Sequence, residues 1–253
     1  MLSETADIIR PQPAAPPVRP MFLADWRDAL FIHFRADPRR LQPLIPLPLD
    51  LRDGRAFISI VAFTHDRLRP SIGGPAAEFL SRPLARHEFL NLRTYVVHDR
   101  EPGIYFLSEW IPNPLAVFLG PRLYGLPYKL AQLAYHTAPG YAMRQVISAG
   151  QFSCIANWNP LDPPIPSHRG SESEFLLERY TAFTLRRGIL RRFRIAHAPW
   201  RTTEAQITII RRDLLGDIPI ADPHPAAHYS PGLRDVQISW RRTSPLIKSK
   251  GRQ

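Results

Sequence analysis

The chain has 253 residues, of which 44% are hydrophobic and 22% are charged. This length suits one large domain or two small ones, and the hydrophobic content excludes an intrinsically disordered chain. No apolar run reaches the roughly 18 residues that would span a bilayer, so we expect a cytoplasmic protein without membrane contacts. The single cysteine, Cys154, excludes an intrachain disulfide and a cysteine-based zinc cluster.

The formal net charge is +11, and 33 residues are lysine or arginine. Such a charge favours nucleic-acid binding, because cations on a protein release the counterions condensed on the phosphates. Only three of these residues are lysines, however, and the arginines are spread along the chain rather than gathered on one periodic face. A nucleic-acid-associated basic module, with Lys248, Lys250 and Arg252 in its tail, is therefore kept only as an alternative.

Residues 1–20 contain five prolines, which exclude a helix and predict a flexible proline-rich arm. From Met21 onwards, short apolar segments rich in branched and aromatic side chains alternate with turn residues. This rhythm predicts a single, mainly β domain over residues 21–242, followed by a basic flexible tail over residues 243–253.

The predicted elements of the first half begin with an alternating strand over residues 30–35. Asp37 has the character of a helix cap, with Pro38 at the first helical position. A tight turn at Asp53-Gly54 precedes a strand over residues 55–63, and strands over residues 90–97 and 104–110 form a hairpin. A helix is predicted over residues 115–123.

The second half of the chain also combines predicted strands with turns and loops. Strands are predicted within residues 143–158 and over residues 189–197, 203–210 and 236–240. Residues 159–170 contain four prolines and are expected to form a loop. The pattern of residues 174–185 fits either a helix or a strand.

Polar side chains on strand faces mark a candidate ligand site, because one face of a closed sheet lines an interior that can hold a ligand. Alternation places Glu109 on the same face as Tyr105 and Leu107. An arginine in such an interior can bind a carboxylate through two parallel hydrogen bonds. The predicted substrate-binding residues are His33, Arg35, Asn91, Arg93, Tyr95 and Glu109. The alternative is a non-catalytic structural protein, in which these faces meet water or the interior is filled by its own side chains.

Motifs of the common catalytic classes are absent from the sequence. It holds no Gly-x-Ser-x-Gly elbow, phosphate loop or dinucleotide glycine pattern. His224 and His228 are four residues apart but flanked by prolines, so neither a metal site nor a cofactor is predicted. Cys154 lies in an apolar segment, where a thiol packs in its protonated form. Lys129 is the only lysine before residue 248, and a lysine whose pKa is lowered can attack a carbonyl.

Several strings together resemble the YqjF-like family, known as domain of unknown function 2071. They are Trp26-Arg27-Asp28, Phe31-Ile32-His33-Phe34, Asp53-Gly54-Arg55-Ala56, Asn91-Leu92-Arg93-Thr94-Tyr95-Val96, Leu126-Pro127-Tyr128, Phe175-Leu176-Leu177-Glu178-Arg179-Tyr180, His197-Ala198-Pro199-Trp200 and His228-Tyr229-Ser230-Pro231-Gly232. The resemblance covers about residues 22–241. It implies an acetoacetate decarboxylase-like fold, a closed cone-shaped β-barrel with packed helices and a central cavity.

The resemblance also bears on catalysis. Acetoacetate decarboxylases carry a Gly-x-Pro-Lys-Lys pattern, whose first lysine forms a Schiff base and whose second lowers the pKa of the first. Here Tyr128 stands at the position of the nucleophile and Lys129 at that of its helper. Since a phenol forms no imine, we expect no Schiff-base decarboxylation. We expect a cavity that binds a small carbonyl or carboxylate compound, with Tyr128 and Lys129 nearest to any chemistry. Whether the chain is a general acid–base or lyase-like enzyme, or only a binder, stays open.

Overall fold

Strands make up most of the chain in the computed structural model, which describes residues 19–138, 143–148, 152–159, 161–222 and 224–245. The strands are β1 (Pro20–Ala36), β2 (Ala56–Pro70), β3 (His87–His98), β4 (Glu101–Ile111), β5 (Tyr128–Leu130), β6 (Ala134–Ala138), β7 (Met143–Ser148), β8 (Ser153–Trp158), β9 (Ile165–Pro166), β10 (Thr181–Arg186), β11 (Ile189–Ala196), β12 (Arg201–Glu204), β13 (Gln206–Arg211), β14 (Ala226–Ser239) and β15 (Arg242–Pro245).

Four short α-helices connect these strands. They are α1 (Pro38–Leu41), α2 (Gly74–Ser81), α3 (Pro114–Leu123) and α4 (Glu172–Leu177). The predicted cap of α1 is confirmed, because the Asp37 carboxylate accepts a 2.9 Å hydrogen bond from the Arg39 amide. Asn113 caps α3 in the same way. Helix α2 was not predicted, and no side chain caps it.

Seven strands close into a ring. Along the main sheet the order is β11, β10, β4, β3, β2, β1 and β14, and β14 also pairs with β11, where Ile195 lies opposite Ile238. Most neighbours are antiparallel, but β10 runs parallel to β4, and β5 joins the other part of β4 as a parallel strand. Closure gives the ring an inner and an outer face.

The outer face is covered by a second sheet of four strands, in the order β13, β8, β7 and β6. Alternate residues of β1 and β2, such as Leu30, Ile32 and Ile60, form one hydrophobic cluster with Cys154 of that sheet and with Phe152, which precedes β8. The side chains between them on each strand face the inside of the ring. The largest core cluster therefore lies between the two sheets, and two smaller clusters lie on the inner side of the ring, one with Tyr95 and Phe175 and one with Phe31 and Phe63.

A bulge in β4 changes one predicted face. Opposite β3, the pairing shifts between Leu92↔Ser108 and Arg93↔Phe106, so that Leu107 is an extra residue. Tyr105 and Leu107 consequently pack with the outer cluster, whereas Glu109 lies on the inner side. The prediction that Glu109 shares a face with Tyr105 and Leu107 was wrong, because simple alternation does not continue through a bulge.

The other predicted elements mostly hold. The hairpin of β3 and β4, the helix α3 and the strands β8, β11 and β14 are confirmed. The ambiguous segment 174–185 contains both structures, since α4 ends at Leu177 and β10 begins at Thr181. The predicted arm lies outside the described residues up to residue 18, and β1 already begins at Pro20. Strand β15 pairs with β11 as far as Pro245, inside the predicted tail, and residues 246–253 lie outside the described residues.

Candidate active site

Strand register brings three of the predicted polar residues into one row. Asn91 of β3 lies directly opposite Glu109 of β4, and Glu109 lies opposite Tyr128 of β5. On the other side of Asn91 the row continues to Val61 of β2 and Phe31 of β1. Since directly opposite residues have Cβ atoms about 4.5–5.5 Å apart, these side chains share one patch of the inner face.

The row lines a cavity of about 180 Å³ inside the ring. Strands β1 to β4, β11 and β14 form its wall, and α3 contributes Ala116, Leu119, Gly120 and Leu123. Most of the lining is apolar or aromatic. Among the predicted site residues, Asn91, Arg93, Glu109 and Tyr128 line it. This combination of an apolar wall with a few convergent polar groups is typical of a small-molecule site.

Arg93 is buried without a carboxylate partner among the described residues. Its side chain is 8% exposed, and its Nη2 donates a long 3.4 Å hydrogen bond to the Leu176 carbonyl. Its Nε has no partner in the described part of the chain. The guanidinium carbon lies 5.8 Å from the centroid of the Phe31 ring. A buried charge without a counter-charge is costly, and the described part of the chain supplies no carboxylate for this arginine.

Glu109 and Tyr128 are neighbouring acidic groups, and the pKa of each is raised. Burial raises the pKa of Glu109 well above its usual range, and its Oε2 has no hydrogen-bond partner among the described residues. Burial also raises the pKa of Tyr128, and the neighbouring Glu109 adds to the effect. Burial thus favours the protonated form of both groups, in which each can donate a hydrogen bond. The Asn91 Oδ1, likewise unpartnered within the described chain, adds an acceptor.

Close packing against α3 positions the Tyr128 ring. A Cβ atom on Gly120 would lie 2.2 Å from the ring carbon Cε2, so only glycine lets the helix backbone approach this closely. On another side the ring meets Phe89 edge-on, with centroids 5.9 Å apart. The phenol is thus held by the helix and by β3.

His33 and Tyr95 do not line the cavity. His33 Nδ1 lies 2.7 Å from the Ser59 Oγ, which lies 2.6 Å from the Tyr95 hydroxyl. That hydroxyl also donates to the Leu176 carbonyl. Burial lowers the pKa of His33, and His228 and Arg93 lower it further. The two residues form an internal network beside Arg93, since Ser59 is the cross-strand neighbour of Arg93.

Arg35 and Lys129 lie outside the cavity. Arg35 forms surface ion pairs with Glu172 at 3.5 Å and Asp222 at 3.7 Å. Lys129 is exposed, and its Nζ lies 5.2 Å from the centroid of the Trp110 ring. Adjacent residues of a strand point to opposite faces, so the inward Tyr128 places Lys129 outside.

Sequence reasoning missed several lining residues. They are Trp26, His65, His87, Arg179, His197 and Trp200. The missed signal lies in β2, which was expected to end at Phe63 but continues to Pro70, so that His65 follows Val61 and Phe63 on the inner face. By contrast, Cys154 is fully buried and its pKa is raised to about 12, which makes it an unreactive packing residue as predicted.

The described residues contain neither a metal-binding cluster nor a membrane-spanning helix. No group of three or more His, Cys, Asp or Glu side chains within this part of the chain is arranged to hold a metal ion. No helix of the described ranges is long and apolar enough to cross a membrane.

Residues 23–234 match the family model of DUF2071, described as an uncharacterised conserved protein. The chain belongs to the DUF2071 family. It is 31% identical over 216 residues to the uncharacterised protein YqjF of Bacillus subtilis strain 168, an alignment that covers 81% of this chain and 85% of YqjF. The resemblance noted in the sequence is therefore confirmed.

Solved structures show the same fold at low sequence identity. Acetoacetate decarboxylase from Legionella pneumophila has a TM-score of 0.61 and 13% identity, covering 94% of this chain and 92% of its own. The enduracididine biosynthesis enzyme MppR, with HEPES bound, has a TM-score of 0.64 and 10% identity, covering 93% and 90%. MppR complexed with pyruvate has a TM-score of 0.60 and 10% identity, covering 92% of each chain. This DUF2071 protein thus has an acetoacetate decarboxylase-like fold.

Proposed function

We propose that the cavity binds a small compound with a carboxylate or carbonyl group, which is held by Arg93, Asn91, Glu109 and Tyr128. One observation carries the proposal. Arg93 Nε, Asn91 Oδ1 and Glu109 Oε2 lack partners among the described residues, and their side chains line the same apolar cavity. Buried polar atoms in proteins are nearly always paired, so an unpaired group at a cavity calls for a ligand.

The electrostatics of the site favour an anionic or strongly accepting group. Burial raises the pKa of Glu109 and favours its protonated form, which does not balance the charge of Arg93. Arg179, the other lining arginine, is already paired with Asp50 at 2.5 Å. The guanidinium of Arg93 is therefore left for a ligand carboxylate, which it can bind through two parallel hydrogen bonds.

Glu109 and Tyr128 give the site two hydrogen-bond donors for a ligand carbonyl group. In their protonated forms both can donate to the carbonyl oxygen and polarise the carbonyl group. An imine forms no part of this proposal, because Lys129, the only lysine among the described residues, is exposed beside Trp110. The pyruvate complex of MppR supports the capacity of this fold to hold a small oxo acid.

Calorimetric titration of the full chain tests the proposal. The probes are octanoate, 2-oxooctanoate and octylammonium, which share an apolar tail and differ in the polar head. We expect the two acids to bind and the cation not to bind. Arg93→Met should weaken acid binding at least tenfold, because truncating one partner of a buried charge pair costs 2 kcal/mol or more. The matched control is Arg55→Met, which alters an exposed arginine and should leave the affinity unchanged.

Two results would overturn the proposal. One is equal binding of octanoate and octylammonium, and the other is an unchanged affinity for octanoate in Arg93→Met. Borohydride reduction in the presence of 2-oxooctanoate tests the noncovalent part separately. The mass of the chain should stay unchanged, whereas a covalent adduct on Lys129 would contradict it.

A further inference from the structure

Two histidines form a second polar group at the other end of the aromatic wall. His65 of β2 lies directly opposite His87 of β3, and their rings stack at a centroid distance of 5.4 Å and an angle of 12°. They are 8% and 7% exposed, and both line the cavity. Neither has a role in the function proposed above.

The distance of this pair from the acid site follows from the strands. His87 precedes Asn91 by four residues, and β2 and β3 pair without a shift over this stretch. Four residues of a strand span about 13 Å. The histidine pair and the Asn91 row are therefore two separate polar regions of one cavity.

An aromatic surface fills the interval between the two regions. Phe63 and Phe89 lie midway on the two strands, with ring centroids 4.9 Å apart. Trp26 packs beside them, 5.1 Å from Phe63. A ligand that reaches both polar regions must therefore have an apolar middle.

The hydrogen bonds of the histidines define what they can bind. Neither Nδ1 atom has a partner among the described residues. Burial lowers the pKa of His87 and favours the neutral ring, in which one nitrogen donates and the other accepts. In the tautomer with the proton on Nε2, the unpartnered Nδ1 carries the lone pair and accepts. Burial and His87 also lower the pKa of His65.

A metal ion does not account for the pair. Stacked rings do not direct two nitrogen lone pairs at one point between them, and the described residues offer no third ligand. A hydroxyl or N–H group of an organic ligand does fit, because it donates to the free acceptor on His87 and needs no charge.

We propose that His65 and His87 form a subsite for a hydroxyl or N–H donor at the far end of an elongated ligand. The inference rests on the function proposed above and extends it. The Arg93 end holds the carboxylate or carbonyl, the Phe63 and Phe89 surface holds an apolar middle, and His87 accepts a hydrogen bond from the terminal donor. The ligand class is thus an elongated acid or carbonyl compound with a terminal hydroxyl or uncharged N–H group.

Matched alkanoates test this subsite in the full chain. The probes are unsubstituted, ω-hydroxy and ω-methoxy alkanoates of about six to twelve carbons, titrated calorimetrically. We expect the hydroxyl to strengthen binding about threefold to tenfold at the best length, the size of a net hydrogen bond. The methoxy group cannot donate and should give no gain. His87→Phe and His65→Phe should abolish the hydroxyl preference and keep octanoate binding, whereas His168→Phe, at an exposed loop histidine, should keep both.

Each outcome separates the two proposals. If no alkanoate binds, the carboxylate site itself is absent. If alkanoates bind but the hydroxyl gives no gain, or if the gain persists in both histidine variants, the subsite is refuted and the Arg93 site stands. Circular dichroism of the variants verifies that the fold is retained, and a preference lost only in the two cavity variants supports the subsite.

Discussion

Arg93 and Arg179 lie in the same ring with similar burial, 8% and 7% exposed, but differ in the bonds that they make. Arg179 binds Asp50 at 2.5 Å, donates from Nε to the Phe175 carbonyl at 2.7 Å and lies over the Phe175 ring. Arg93 makes one long bond to the Leu176 carbonyl, and its Nε is unpartnered among the described residues.

The two arginines thus differ in whether the described chain provides a carboxylate partner. At Arg179 the chain provides the counter-charge, so the pair is an internal part of the fold. At Arg93 burial is combined with an open cavity and with Glu109, whose pKa is raised. A charge in that setting is costly, and under the proposed function a ligand carboxylate offsets that cost.

The largest loss of stability is expected from a substitution at the ion pair of Arg179 and Asp50. Asp50→Ala leaves Arg179 as an uncompensated buried charge, which should lower the free energy of unfolding by about 3–5 kcal/mol. Urea denaturation followed by circular dichroism measures this. A loss below about 1 kcal/mol would show that Arg179 does not depend on its partner.

The second-largest effect is expected for Glu109→Gln, and the change in its free energy of unfolding should depend on pH. Because the folded chain keeps a proton that the unfolded chain releases, wild-type stability falls as the pH rises from the usual carboxyl range to the raised pKa of Glu109. The glutamine variant lacks this slope, so it should exceed wild type by about 1–3 kcal/mol at pH 8 and lose that advantage below pH 4. Urea denaturation across this range is the measurement. If the difference in unfolding free energy between the variant and wild type did not change with pH, the pKa of Glu109 would not be raised in the folded chain.

Tyr95→Phe probes the hydrogen-bond network that Tyr95 forms with Ser59 and His33. The hydroxyl lies 2.6 Å from the Ser59 Oγ and 3.1 Å from the Leu176 carbonyl, and its removal should cost about 1–2 kcal/mol. Octanoate affinity should change little, because Tyr95 does not line the cavity. A large loss of binding with unchanged stability would instead assign Tyr95 to the site.

The smallest change in stability is expected for Arg93→Met. The substitution removes a buried guanidinium that has no counter-charge among the described residues. The free energy of unfolding of the ligand-free protein should therefore stay within about 1 kcal/mol of wild type or rise. Thermal and urea denaturation of the two proteins measure it. A loss comparable to that of Asp50→Ala would show that Arg93 is a structural residue.

Local patterns predicted much of this molecule. Alternation correctly placed Asn91 and Arg93 on one face of β3, and Asp37 and Pro38 marked the start of α1, because both signals depend on residues adjacent in the chain. The family resemblance supplied the fold, which composition alone left at a mainly β domain.

The remaining features depend on contacts between strands. The bulge at Leu107, which brings Glu109 inward, is a property of the pairing between β3 and β4 and has no local sequence signal. The three-residue strand β5 exists through its parallel pairing with β4, and this pairing places Tyr128 inside and Lys129 outside. The site of His65 and His87 likewise appears only when the register of β2 and β3 is known.

The most direct test of the central claim is a crystal structure of the full chain, determined from crystals soaked with octanoate. The account predicts the carboxylate of the probe within hydrogen-bond distance of the Arg93 guanidinium, beside Asn91 and Glu109, with its tail along Phe63 and Phe89. A carboxylate bound elsewhere, or a cavity filled by the chain's own side chains with Arg93 turned to an internal partner, would contradict it.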